Sequence, residues 1–300
     1  VVYLVGLAAA LALGLGYVIQ QRVAATMPLS EVLTWRLVFD LMHRRRWWAG
    51  IGCMVVGQVL AGLALEMATV AVVEPLLSAN LLFALAFSAA LARKRIRWQE
   101  VVGALVLSVS LGLFMGVGNP HESPAPNTSG VAILVAVAAV IGAVVVLVVI
   151  ARRGALVRES VLLATGAGLI YGLQDAATRA AFVRIEHHGI ATLPVNPWIY
   201  VVVGAAAVGI LLSQSAFKAA RLDYSLPPIA AAEPIAGIVL GISLLGDVVS
   251  VSVLGLVAES ICLVGMLAGV ALIGRSPNLA SGCIAEPVDS PPPARHSDVA

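Results

Sequence analysis

Nine mostly apolar runs follow one another along the chain, near 2–20, 49–68, 70–92, 101–118, 131–150, 161–183, 198–217, 226–245 and 249–273. A helix needs about 20 apolar residues to cross the hydrocarbon of a bilayer. The runs therefore predict an all-α polytopic membrane bundle. Composition points the same way. Sixty per cent of residues are hydrophobic, 11% are charged and the mean hydropathy is +1.01, whereas about a quarter of a soluble domain is charged. The first run lacks the basic flank and cleavage site of a secretory signal, so it is expected to be retained.

Charge orders the runs. Arg22, Arg36 and Arg44–Arg46 follow the first run, Arg93, Lys94, Arg95 and Arg97 the third, and Arg152, Arg153 and Arg158 the fifth. Lys218 and Arg221 follow the seventh, and Arg275 and Arg295 the ninth. The connections after the second, fourth and eighth carry no Lys or Arg, and only Arg179 and Arg184 fall on the other side. Sixteen of eighteen basic residues thus fit one topology. Basic loops favour the cytoplasm, which predicts a multi-pass protein of the cell membrane with its N-terminus outside and its C-terminus cytoplasmic.

One segment breaks the pattern. Residues 28–46 have Leu29, Val32, Leu33, Leu37 and Leu41 near helical spacing, but also Glu31, Arg36 and Asp40. Each charge costs about 2.5–3.5 kcal/mol near the centre of a span, and a crossing here would reverse every later loop. The segment is expected to lie as an amphipathic helix on the cytoplasmic surface. The expected organisation is a first repeat at 1–118, an external Pro- and Ser-rich linker at 119–130, a second repeat at 131–274 and a disordered cytoplasmic tail at 275–300.

The repeat rests on a pair of motifs. Val72-Val73-Glu74-Pro75-Leu76 in the third run matches Ala231-Ala232-Glu233-Pro234-Ile235 in the eighth, and each precedes an apolar run and a further Gly-rich span. The loop charges give those two runs opposite directions, so the repeats are expected to be inverted, an arrangement many secondary transporters use. This pattern resembles the drug/metabolite transporter superfamily and its EamA-type five-helix repeat. The second half fits the five-span unit, while the first has four spans with 28–46 where a helix is missing. The nine-span form is similar to the NIPA-type magnesium transporter branch and to a group of actinobacterial membrane proteins. The resemblance implies a transporter and supplies no substrate.

Ionisable and amide side chains within the runs are the candidate site. A carboxylate in hydrocarbon needs a cavity or a partner, and proline at the next position removes a backbone donor. Glu74 and Glu233 are therefore candidates for a cation or proton site; the plainer alternative is that each is hydrated near an interface. The sixth run carries Tyr171, Gln174 and Asp175 at spacings that share a helix face. They either line a substrate path or belong to the polar outer end of the span, where Asp175 would pair with Arg179. Gln58 and Gln214 either bind solute or join helices.

Several classes are excluded. No phosphate-binding Gly-rich Lys motif or zinc-protease motif is present, and no nucleophile–base pair stands out, so neither an ATPase nor another enzyme is expected. Cys53, Cys262 and Cys283 form no metal or disulfide spacing, and no basic-aromatic patch suits nucleic acid. No cofactor is implied. The expected partners are a small-molecule or ion substrate, membrane lipid and a second copy in a homodimer. The expected function is secondary transport of a small solute by alternating access. The alternatives are a permease for Mg²⁺ or another divalent cation, and a non-transporting membrane scaffold.

Overall fold

Runs of Ala, Val, Leu and Gly in apolar surroundings can satisfy their backbone polar groups only within the segment, and that means helix. A computed structural model describes residues 1–67, 73, 76–77, 79–91, 98–118, 130–245 and 253–274. The described residues form ten α-helices and no strand. These are α1 (Val2–Ala24), α2 (Trp35–Met42), α3 (Arg45–Met67), α4 (Asn80–Leu91), α5 (Trp98–Gly118), α6 (Gly130–Ala151), α7 (Leu156–His188), α8 (Pro197–Ala219), α9 (Leu222–Leu245) and α10 (Val253–Gly274). Among the described residues, five stretches are long and apolar enough to cross a membrane: Val2–Ala24, Arg45–Ala64, Ile133–Ala151, Leu156–Glu186 and Pro197–Ala219. Shorter apolar helices cover Asn80–Leu91, Trp98–Phe114 and Val257–Ile273. Large apolar side chains such as Val55, Leu134, Val203 and Leu267 stand on the outer surface. A surface of that kind suits lipid better than water.

Three boundaries differ from the expected runs for physical reasons. Helix α7 has 33 residues, about 50 Å at 1.5 Å per residue, and exceeds its apolar run at both ends. Arg158, Glu159, Arg184 and Glu186 are polar yet good helix formers, so the helix outlasts the hydropathy. Helix α9 starts at Leu222, ahead of Pro227 and Pro228. Between residues 28 and 44 the α-helix is the eight-residue α2; at about 12 Å it is too short to cross. The chain enters α2 through Leu33, whose φ of 59° is costly for a residue with a side chain. The Leu33 N–H donates to Ser215 Oγ of α8 at 3.0 Å, which holds the turn against the bundle.

Small residues set the helix contacts. Helix α1 runs antiparallel to α3, with Gly16 against Gly50 and Met54, and parallel to α4, with Gly14 against Asn80 and Ala84. Helix α7 runs antiparallel to α8 and parallel to α9. A Cβ on Gly168 would lie 2.6 Å from the Ile229 carbonyl oxygen, and Gly172 meets the Glu233 carbonyl in the same way. Helix α5 packs along α10, where Gly103 and Gly269 face each other. Helix α6 lies against α7 and α9. Close backbone approach through Gly is a usual way for helices to associate in lipid.

Contacts also gather several of the described basic residues at one end. Lys218 Nζ donates to the Ala25 carbonyl at 2.9 Å, and Gln21 Nε2 donates to the Phe217 carbonyl. Ser160 Oγ donates to the Ala216 carbonyl at 2.8 Å, which brings the start of α7 to the end of α8. Arg221 pairs with Asp223 at 2.9 Å. Arg22, Arg44, Arg45 and Arg46 surround one opening at this end. The segment Ile190–Val195, joining α7 to α8, marks the opposite end.

Candidate functional site

Two interior cavities, of about 220 and 210 Å³, share Tyr17, Asp175, Ile229 and Glu233 among their described lining residues. The polar side chains arrive on several helices. Tyr17 and Gln20 come from α1, Gln58 from the middle of α3, and Tyr171, Gln174 and Asp175 from the middle of α7. Ser213 comes from α8, and Glu233 sits about halfway along α9. Glu233 is deeper than the sequence implied, because α9 begins four residues before the expected run at 226. The Gly168 and Gly172 contacts press α7 onto α9 at this level, and so set Tyr171 and Asp175 beside Glu233.

A polar network lines the walls. Gln214, 2% exposed, donates through Nε2 to Gln20 Oε1 at 2.7 Å, and Gln20 Nε2 contacts Met54 Sδ at 3.0 Å. Ser213 Oγ donates to the Ile210 carbonyl at 3.1 Å. Its single proton is thereby used, so the Tyr171 hydroxyl donates to Ser213 across 2.9 Å. The Tyr17 ring meets Phe217 edge-on with centroids 6.4 Å apart. The side-chain Oε1 atoms of Gln174 and Gln214 are buried with no hydrogen-bond partner among the described residues. Pro234 has no N–H to give to the Ala230 carbonyl one turn back, and Ala230, Glu233 and Pro234 line the same cavity.

The structure thus brings Gln58, Tyr171, Gln174, Asp175 and Glu233 to one place, with Gln214 one hydrogen bond behind. Glu74 lies outside the described residues. Asp175 opens onto the cavity, and no ion pair joins it to Arg179 among the described residues. Tyr17, Gln20 and Ser213 escaped the sequence reading. A signal for the first two was present, since Gly14-Leu15-x-Tyr17-x-x-Gln20 recurs as Gly168-Leu169-x-Tyr171-x-x-Gln174. The two copies lie on α1 and α7, which run in opposite directions relative to the basic end, and both enter the same cavity.

Chemically the site offers two carboxylates, two phenols and several amides, and no Lys, Arg or His among its described lining residues. Such a lining favours positive charge, by Coulomb attraction and by aromatic faces.

A protein of Corynebacterium glutamicum, itself uncharacterized, is 30% identical over 284 residues, covering 93% of this chain and 96% of that one. The chain belongs to the same family as that protein. No family model matches the chain, and no solved structure matches it.

Proposed function

We propose that the protein is a multi-pass secondary transporter of the cell membrane, carrying a small, positively charged solute by alternating access. The observation that carries this reading is the cavity halfway along the helices, lined from both halves of the chain and holding Asp175 and Glu233. An intramembrane carboxylate that opens onto a cavity commonly belongs to a substrate or proton path.

Two inverted repeats are part of the proposal. The set α1, α3, α4 and α5 corresponds to α7, α8, α9 and α10, with α6 as the additional helix. The recurring Tyr-x-x-Gln motif and the two Glu-Pro pairs support the correspondence. So does the packing, since α1 on α3 and α4 is matched by α7 on α8 and α9. Nine spans result, with α2 at the interface. The basic end faces the cytoplasm by the positive-inside rule, which places the N-terminus outside. Rocking of one repeat against the other opens the cavity to each side in turn. The resemblance to the drug/metabolite transporter superfamily agrees with this architecture.

Glu233 is assigned as the main charge site, with Asp175 beside it and Glu74 as its counterpart in the first repeat. Tyr17, Tyr171, Gln58 and Gln174 shape the cavity and hydrogen-bond the solute. Mg²⁺ is the second candidate cargo, favoured by the Ala230 carbonyl that Pro234 leaves without a helical donor. Against it, no group of three His, Cys, Asp or Glu side chains is placed to hold a metal among the described residues. Flux into proteoliposomes tests both readings, with small ammonium compounds, Mg²⁺ and neutral solutes compared at matched protein content. Flux of ammonium compounds that Glu233→Gln abolishes supports the proposal. Flux of Mg²⁺ alone favours the permease.

A further inference from the structure

Away from the central site, a cavity of about 900 Å³ opens at the basic end, where the last turn of α1 meets the junction of α2 and α3. Arg22, Thr26, His43, Arg44, Arg45 and Arg46 surround it, over a floor of Ile19, Val23 and Ala49. No carboxylate is among its described lining residues. The nearby acids are engaged elsewhere: Glu31 and Asp40 lie 4.0 and 3.9 Å from Arg36, and Asp223 pairs with Arg221. None of the four lining arginines forms an ion pair with a described carboxylate. Four guanidinium groups around one opening repel each other, and an anion between them relieves that repulsion. Guanidinium forks match phosphate oxygens in geometry as well as charge.

The surroundings identify the source of the phosphate. Helix α2 buries Leu37 and Leu41 but exposes Trp35, Phe39 and Met42, which share one stripe at helical spacing. Trp48, also exposed, donates through Nε1 to the Met42 carbonyl at 2.7 Å and extends the stripe to the start of α3. Exposed aromatic rings at the end of an apolar bundle sit at headgroup level, so the arginine cavity opens where lipid phosphates lie. Its apolar floor suits the glycerol end of a lipid and not a freely diffusing ion.

We propose that this cavity binds the phosphate-bearing headgroup of an anionic glycerophospholipid, with Arg22, Arg44, Arg45 and Arg46 as its ligands. Basic pockets between helices bind such headgroups in other membrane proteins. Bound there, the lipid ties α1 to the α2–α3 junction. The proposal rests on the membrane reading of the bundle but not on transport, and its test uses no transport assay.

The test is binding and thermal stability of the full chain in neutral detergent, titrated with phosphatidylglycerol, with phosphatidylcholine of the same acyl chains, or with inorganic phosphate. Phosphatidylglycerol is expected to bind and to raise the melting temperature, and phosphatidylcholine is not. Affinity for phosphatidylglycerol should fall about fivefold in Arg22→Gln and about 100-fold in the R44Q/R45Q/R46Q variant. The R152Q/R153Q variant removes charge from the same end outside the cavity and should bind like the wild type. If the triple variant does not fold, Arg22→Gln carries the test. Equal binding of both lipids, equal loss in R152Q/R153Q, or unchanged affinity in Arg22→Gln overturns the site. Full stabilisation by inorganic phosphate, with no added effect of lipid, overturns the lipid as ligand.

Discussion

Gln214 on α8 donates to Gln20 on α1 across 2.7 Å, joining side chains that are far apart in sequence at the back wall of the central cavity. Gln214 Nε2 has an acceptor there, while its own Oε1 has no donor among the described residues. The bond therefore links the two halves of the chain without using all the hydrogen-bonding capacity at the site.

Removing one partner should cost more than removing both. Gln214→Leu leaves Gln20 Oε1 buried without its donor, a loss of about 1–3 kcal/mol, whereas the double variant with Gln20→Leu regains part of it. The expected coupling is about 0.6–1.7 kcal/mol, the range of polar pairs between membrane helices. A double-mutant cycle of unfolding in detergent measures it, and strictly additive effects would mean the bond contributes nothing.

The α7–α9 contact gives a second expectation. Gly168→Ala puts a methyl 2.6 Å from the Ile229 carbonyl oxygen and 3.1 Å from the Glu233 nitrogen. Backbone cannot move aside as a flexible side chain can, so a loss of about 1–3 kcal/mol is expected. Gly204→Ala on α8 meets nothing within 4 Å and should stay within about 0.5 kcal/mol of the wild type. Melting temperatures of the two purified variants check this; equal values would remove Gly168 as a packing determinant.

Much of this architecture is legible in the sequence because apolar runs fix where helices form. Their ends are less legible. Hydropathy marks the thickness of hydrocarbon, so α7 appears shorter than its 33 residues, and Pro227 and Pro228 hide the true start of α9. The site divides similarly. Gln58, Tyr171, Gln174, Asp175 and Glu233 stand out as polar residues in apolar surroundings. Tyr17 and Gln20 do not, because they fall at the edge of the first run, where polar residues look interfacial. Only comparison of the two halves, Tyr17-x-x-Gln20 against Tyr171-x-x-Gln174, brings them forward. Ser213 gives no such signal; its role follows from the hydroxyl that Tyr171 presents to it.

Topology is open to labelling. In a background lacking Cys53, Cys262 and Cys283, single cysteines at Val195 and Arg46 report opposite ends of the bundle. An impermeant thiol reagent on intact cells should label the first and spare the second. The reverse result would turn the whole assignment over.

The tyrosines separate site from scaffold. Tyr171→Phe keeps the ring and loses only the bond to Ser213, so stability should fall by about 1 kcal/mol or less. Solute affinity should fall more clearly, about twofold to tenfold, matching one lost hydrogen bond. Tyr200→Phe, whose hydroxyl donates to the Pro194 carbonyl at the far end, should leave solute affinity unchanged. Apparent affinities from flux titrations compare the two; equal effects would place Tyr171 outside the solute path.

The most direct test of the central claim is charge movement by reconstituted protein on a solid-supported membrane. Ammonium compounds of increasing size, Mg²⁺ and neutral sugars are added in turn, to the wild type, Glu233→Gln and Asp175→Asn. Both variants should fold, since neutralising a carboxylate in apolar surroundings removes a costly charge. The account predicts transients for ammonium compounds small enough for a cavity of about 220 Å³, none for sugars, and loss of the signal in Glu233→Gln with a marked decrease in Asp175→Asn. Wild-type transients in both folded variants, or no transient for any cation in the wild type, would contradict it.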